Sequence, residues 1–266
     1  MRSWLFVSTA LAAVMCASAA QAADMRVKAV KAPVVAAPFT WSGFYIGVHA
    51  GVGWGKNQWR DFYDPLNPTS SLPGPDADYR VQGAIAGGQI GFNWQVDWAV
   101  FGIEADASWA HIKGDGNNDP ATVVGPSGTG CLDQGDPCRS KIDSLGTITG
   151  RFGVAFDRTL LYVKGGAAWV HEKHTVGFTD LAFPASSYSG TTSKTLWGWT
   201  IGGGAEFAVS PNWSAKIEYN YIDLRDEQFT FTFSPPQFFG AAGTLEQQLH
   251  VIKLGVNYRF GGPAGY

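Results

Sequence analysis

The chain has 266 residues, 34 of them glycine, 17 phenylalanine and 11 tryptophan, with 15% charged residues and a formal net charge of −3. A charge so small does not imply a nucleic-acid partner, and this much glycine and aromatic side chain argues against disorder and against a helical bundle. Beyond the first 22 residues no stretch approaches the ~20 apolar residues of a membrane-spanning helix: the run from Ala29 to Phe39 is broken by Lys31, Pro33 and Pro38.

Residues 1–22 have a basic start, an apolar middle and a small-residue end at Ala22, the pattern of an export signal that is cut off and takes Cys16 with it. Val14 and Met15 are a poor match to lipoprotein processing at Cys16. Residues 23–40, dominated by proline and small side chains, read as an extended periplasmic linker.

From Trp41 onward, segments alternating between apolar and polar residues recur. The first, 44–54, puts Phe44, Ile46, Val48, Ala50, Val52 and Trp54 on one face and Tyr45, Gly47, His49, Gly51 and Gly53 on the other. The same period of two predicts strands near 81–95, 98–112, 141–156, 159–172, 195–209, 212–225 and 249–260. Short turns near Gln95–Asp97, Asp157–Arg158 and Ser210–Asn212 alternate with long links at about 56–80, 113–140, 173–194 and 226–247. Short turns at one rim and long loops at the other are the pattern of outer-membrane barrels, whose periplasmic turns are short and extracellular loops long. Cys131 and Cys138 lie in the second long link and, in an exported chain, are expected to form a disulfide, since no further cysteine or nearby histidine completes a zinc site.

Alternation alone also fits a secreted sandwich or a lipocalin-like barrel, so the two faces must decide. Trp54, Trp94, Trp109, Trp169, Trp197, Trp213, Tyr221 and Phe260 cluster near strand ends with smaller aliphatics between them, as in two interfacial girdles around a lipid belt. The opposite face is read as glycine, threonine and serine interspersed with charges rather than as bulky core residues. The predicted fold is all-β: an eight-stranded antiparallel up-and-down transmembrane barrel over 41–260, with the tail 261–266 beyond it.

Two motifs carry a family likeness. WSGFYIGVHAGVGW over 41–54 resembles the first-strand signature of the small outer-membrane immunogenic proteins of alphaproteobacteria, within the OmpA-like eight-stranded barrels, and KLGVNYRF over 253–260 resembles their closing strand. The likeness spans 41–260 and implies a β-barrel in the outer membrane of a Gram-negative bacterium. One departure is that Gly261–Tyr266 follows the aromatic Phe260 on which such barrels commonly end.

The inward-facing acids Glu104, Asp106, Glu206 and Glu218 and bases Arg151, Lys164, Lys216, Lys253 and Arg259 admit an acid/base reading, but a near-balanced set in so narrow a lumen is expected to pair with itself. His171 and His174 lack the spacing of a His-Glu-x-x-His zinc motif, and the glycine clusters lack the Lys-Ser/Thr of a phosphate loop. No catalytic group, cofactor or metal is expected. The expected function is a non-enzymatic structural and surface-exposed role, with lipid bilayer and lipopolysaccharide as surroundings, barrel assembly machinery as partner during insertion, and a loop partner of unknown identity. The alternatives are a narrow porin-like channel and a surface receptor for a ligand such as haem, held by His171 and His174.

Overall fold

In the computed structural model the described residues are 39–63, 77–115, 139–178, 188–231, 233–234 and 241–260. They form β1 (Gly43–Tyr63), β2 (Ala77–Val96), β3 (Ala99–Asp115), β4 (Arg139–Phe156), β5 (Thr159–Phe178), β6 (Tyr188–Ala208), β7 (Trp213–Phe231), a two-residue β8 (Phe233–Ser234) and β9 (Ala241–Arg259). Each long strand pairs antiparallel with its neighbours, and β1 pairs with β9 from Tyr45↔Arg259 to Tyr63↔Ala242, so the eight long strands close on themselves. β8 only extends the edge of β6, through Gly190↔Phe233 and Ser189↔Ser234.

Closure removes both sheet edges, so the backbone donors and acceptors across an apolar medium are satisfied strand to strand. The hairpins at one end are tight. Asp97 and Asp157 take left-handed φ values of 52° and 49° there, a conformation in which a short acidic side chain is tolerated. At the other end, the links at 64–76, 116–138, 179–187 and 235–240 lie outside the described residues, Cys131 and Cys138 among them.

Strands of 17 to 21 residues exceed the ~9–11 that a tilted strand needs to cross a bilayer. The surplus is on the long-link side: β1 runs nine residues past Trp54 to Tyr63, and β9 begins at Ala241, before the predicted Leu249. A bulge at Asp143 in β4 and another at Arg225–Asp226 in β7 interrupt the alternation at that level.

Below the bulges, every second residue points away from the barrel axis and is apolar. Ile103, Val48, Leu254, Val163 and Ile148 are all exposed, Ile103 to 68%. A continuous belt of this kind exceeds the apolar patch that water tolerates on a soluble monomer.

Candidate functional site

The interior is where this chain concentrates its chemistry, and it is layered. In the middle layer Glu104 on β3 accepts hydrogen bonds from Lys164 Nζ (2.7 Å), Tyr45 Oη (2.7 Å) and Lys216 Nζ (3.1 Å). Arg151 Nη1 stands 3.5 Å from it. Glu218 takes Tyr162 Oη (2.7 Å), Asn220 Nδ2 (2.8 Å), Lys164 (3.1 Å) and Lys216 (3.2 Å). Glu206 takes Ser214 Oγ (2.5 Å), Asn257 Nδ2 (2.8 Å) and Arg151 Nη2 (3.0 Å), while Asp106 takes Thr147 Oγ1 (2.5 Å) and Lys253 Nζ (2.6 Å).

All of these charged groups are buried. A buried ion costs several kcal/mol unless it is paired and hydrogen-bonded, and here each carboxylate has a cation and a neutral donor together. The carboxylates of Glu104, Asp106 and Glu218 lie close enough to share a metal ion. The ammonium of Lys164 already stands among them, 3.7 Å from Asp106, so the chain supplies its own cation.

Tyr45 and Tyr162 complete this layer. The Arg151 guanidinium lies 4.0 Å over the Tyr162 ring and receives Tyr45 as an acceptor at 2.9 Å. The alternation of the sequence places both phenols on the inward face without showing that they join the network; the signal for it is a bulky phenol on a face otherwise rich in glycine. His49 extends the layer through Gln89 and Ser108 (2.7 Å), and Gln89 passes it on to Asn257 (2.7 Å).

Arg259, expected in the same network, stands apart from it. Its Nη2 donates to the Pro211 carbonyl (2.7 Å) and its guanidinium covers the Phe39 ring at 4.3 Å. The reason is height: Arg259 is the last residue of β9, at the mouth beside the short turns. Trp41, only 1% exposed, fills that mouth with Val100, Leu160, Tyr162 and Ala208, and Phe39 packs edge-on against it at 5.1 Å.

Toward the long links the lumen is apolar, which corrects the expectation of an inward face without bulky residues. Ile85, Ile112, Ile142, Leu145, Val170, Leu196, Ile222, Leu224, Leu249 and Val251 form one buried cluster there. All but Ile142, which the Asp143 bulge turns inward, keep the inward parity of their strands, but they lie at the loop-side end, where lipid no longer holds the outward face apolar and the contrast between faces fades. Above them Gln247 donates to Asn57 (2.6 Å), and His174 lies 2.5 Å from Ser140 and 2.7 Å from Glu172.

His171 and His174 do not converge. Three positions apart on β5, they take opposite faces: His174 is buried inside, whereas His171 faces outward and bonds Thr195 at 3.0 Å. The aromatic residues picked out from the sequence stand at two heights on the outer surface. Trp54, Trp109, Trp169, Trp197 and Tyr221 ring the long-link end, and Trp94, Trp213 and Phe260 the short-turn end. Trp109 is 80% exposed, Trp54 stacks on His250 at 5.7 Å, and Trp213 meets Tyr258 edge-on at 5.1 Å.

A closed barrel with an apolar belt between aromatic rings is matched by a family model described as outer membrane protein beta-barrel domain, over residues 9–260. The chain belongs to this outer-membrane β-barrel family. Among its relatives is the 31 kDa outer-membrane immunogenic protein of Brucella melitensis biotype 1, 32% identical over 265 residues that cover 93% of this chain and 96% of the relative. The 22 kDa outer membrane protein of Rhizobium leguminosarum bv. viciae is 29% identical over 225 residues, 83% of this chain and 79% of that one. Among solved structures, the outer membrane protein OprG of Pseudomonas aeruginosa is similar with a TM-score of 0.47 at 10% identity, covering 82% of this chain and 97% of that one. As a member of this alphaproteobacterial group, the barrel resides in the outer membrane of a Gram-negative cell.

Proposed function

We propose that this outer-membrane barrel is a sealed, non-enzymatic structural protein that anchors four long loops at the cell surface. The observation that carries this reading is the filling of the lumen from end to end. Trp41 and Leu160 occupy the short-turn mouth, the layer centred on Glu104 occupies the middle, and the Leu145–Leu249 cluster occupies the long-link half. An ion would have to cross two apolar layers and displace buried pairs, each step without water to replace its hydration. Eight strands enclose little more than their own side chains.

Purified protein in a planar bilayer is expected to give no stable single-channel steps. Reproducible conductance steps of uniform size would overturn the sealed reading in favour of a narrow channel. The placement of the four lumen carboxylates supports the non-enzymatic part: Glu104, Asp106, Glu206 and Glu218 are each buried and paired with a cation inside the barrel.

A further inference from the structure

Just above the ring of Trp54, Trp109 and Trp169, five neighbouring strands carry cations on the outer face of the barrel, as a facing pair and a facing triple, with Gln82 rather than Arg80 across from Lys113. Lys56 on β1 is directly across from Arg80 on β2. Lys113 on β3 is directly across from Lys141 on β4, which is directly across from Lys173 on β5. Lys56, Arg80, Lys113 and Lys173 are exposed. Like charges directly across an antiparallel pair repel, so the row is unfavourable unless something anionic lies against it.

Among the described residues, Asp143 supplies part of that charge. Asp143 bonds Lys141 and lies 3.7 Å from Lys173. Among the described residues, Lys56, Arg80 and Lys113 have no carboxylate within ion-pair distance. The arrangement is uneven. On β6, β7 and β9 the outer face of the same zone holds Ser193, Thr195, Asp223, Gln248 and Glu246, with Arg225 exposed at the β7 bulge.

Depth is the second observation. Lys56 is the next outward residue beyond Trp54, whereas Lys113 and Lys173 lie one outward residue further from Trp109 and Trp169, with His111 and His171 between. Interfacial tryptophans sit at the head-group boundary, so the row stands about 7–14 Å along the strands beyond it, where lipid phosphates reside. The third is shape. Trp54, Lys56, Arg80, Gln82, Gln248 and His250 line an open groove of about 470 Å³, with the stacked Trp54 and His250 rings on one side and both cations on the other.

We propose that this face binds a phosphate-bearing lipid of the leaflet on the long-loop side, with one head group seated in the Lys56–Arg80 groove and others along Lys113–Lys141–Lys173. The inference rests on insertion in the bilayer and is independent of whether the barrel conducts.

The test is retention of lipid by the full chain in mixed micelles of phosphatidylcholine and diphosphoryl lipid A, read by native mass spectrometry. Wild type is expected to retain diphosphoryl lipid A in preference to its dephosphorylated form. K56Q/R80Q/K113Q/K173Q is expected to lose that retention about tenfold or more, K56Q/R80Q alone about threefold. The charge-keeping K56R/R80K is expected to bind as wild type does, as is S193Q/T195Q on the opposite face. Equal retention by wild type and K56Q/R80Q, or equal retention of the dephosphorylated lipid, would overturn the proposal. Displacement of the lipid by inorganic phosphate at matched phosphate concentration would also overturn it, by making the groove a free-anion site.

Discussion

The Glu104 carboxylate on β3 and the Lys164 ammonium on β5 meet at 2.7 Å although β4 lies between their strands. The pair therefore spans a chord of the lumen, and it locks the curvature of three strands at once. Lys216 on β7 reaches the same carboxylate from the far wall at 3.1 Å.

Removing this hub leaves Lys164, Lys216 and Arg151 short of a counter-ion inside the barrel. Glu104→Ala is expected to destabilise the folded barrel by about 3–5 kcal/mol, read as a lower urea midpoint for unfolding from lipid vesicles. A shift no larger than the ~1 kcal/mol of an exposed pair would mean that these charges do not hold the wall.

On the outer surface the cost of a charge should depend on depth. Leu254, mid-belt and 62% exposed to the surroundings of the barrel, is expected to lose about 2–4 kcal/mol on replacement by Lys, against about 0–1 kcal/mol for Gln248→Lys beside the outer ring. Equal costs at the two sites, measured by the same unfolding assay, would contradict the assigned lipid belt.

Gly91 leaves room for Tyr45: a methyl group there would lie 2.4 Å from the Tyr45 ring carbon that bears the hydroxyl, and 2.7 Å from the Ile103 carbonyl. Gly91→Ala is expected to push the phenol off Glu104 and cost about 1–3 kcal/mol. At Gly150 a methyl group meets nothing within 4 Å, so Gly150→Ala should stay within about 0.5 kcal/mol of wild type.

The apolar half of the lumen can be thinned without touching the charged half. Leu145→Ala and Leu249→Ala, both fully buried, should each cost about 2–5 kcal/mol. Planar-bilayer recordings of either variant should remain silent, because the Glu104 layer still closes the path. Channel steps in these variants alone would place the seal in the apolar half.

The sequence made the lipid-facing side readable because hydrocarbon allows no exception at every second residue: Val48, Ile103, Val163 and Leu254 could be placed outward from parity alone. Beyond the membrane that pressure ends. The strand ends from 56 to 63 and from 241 to 247 have the composition of loops, and the bulge at Asp143 shifts the parity of β4 where no proline or glycine announces it. Parity also says which residues enter the lumen but not at what height. That Lys253 meets Asp106 while Arg259 meets Pro211 depends on the stagger between strands, which no single strand encodes.

The pairing of β1 with β9 joins the first strand of the barrel to the last. Until β9 docks, every partial sheet keeps two raw edges and exposes both its lipid face and its half-made lumen. The row from Glu104 through Lys164 to Lys253 has no complete partner set before that moment. Folding is therefore held back to a late, long-range step, slow by its contact order, and a chain stopped short of Arg259 has no stable smaller barrel to fall back on.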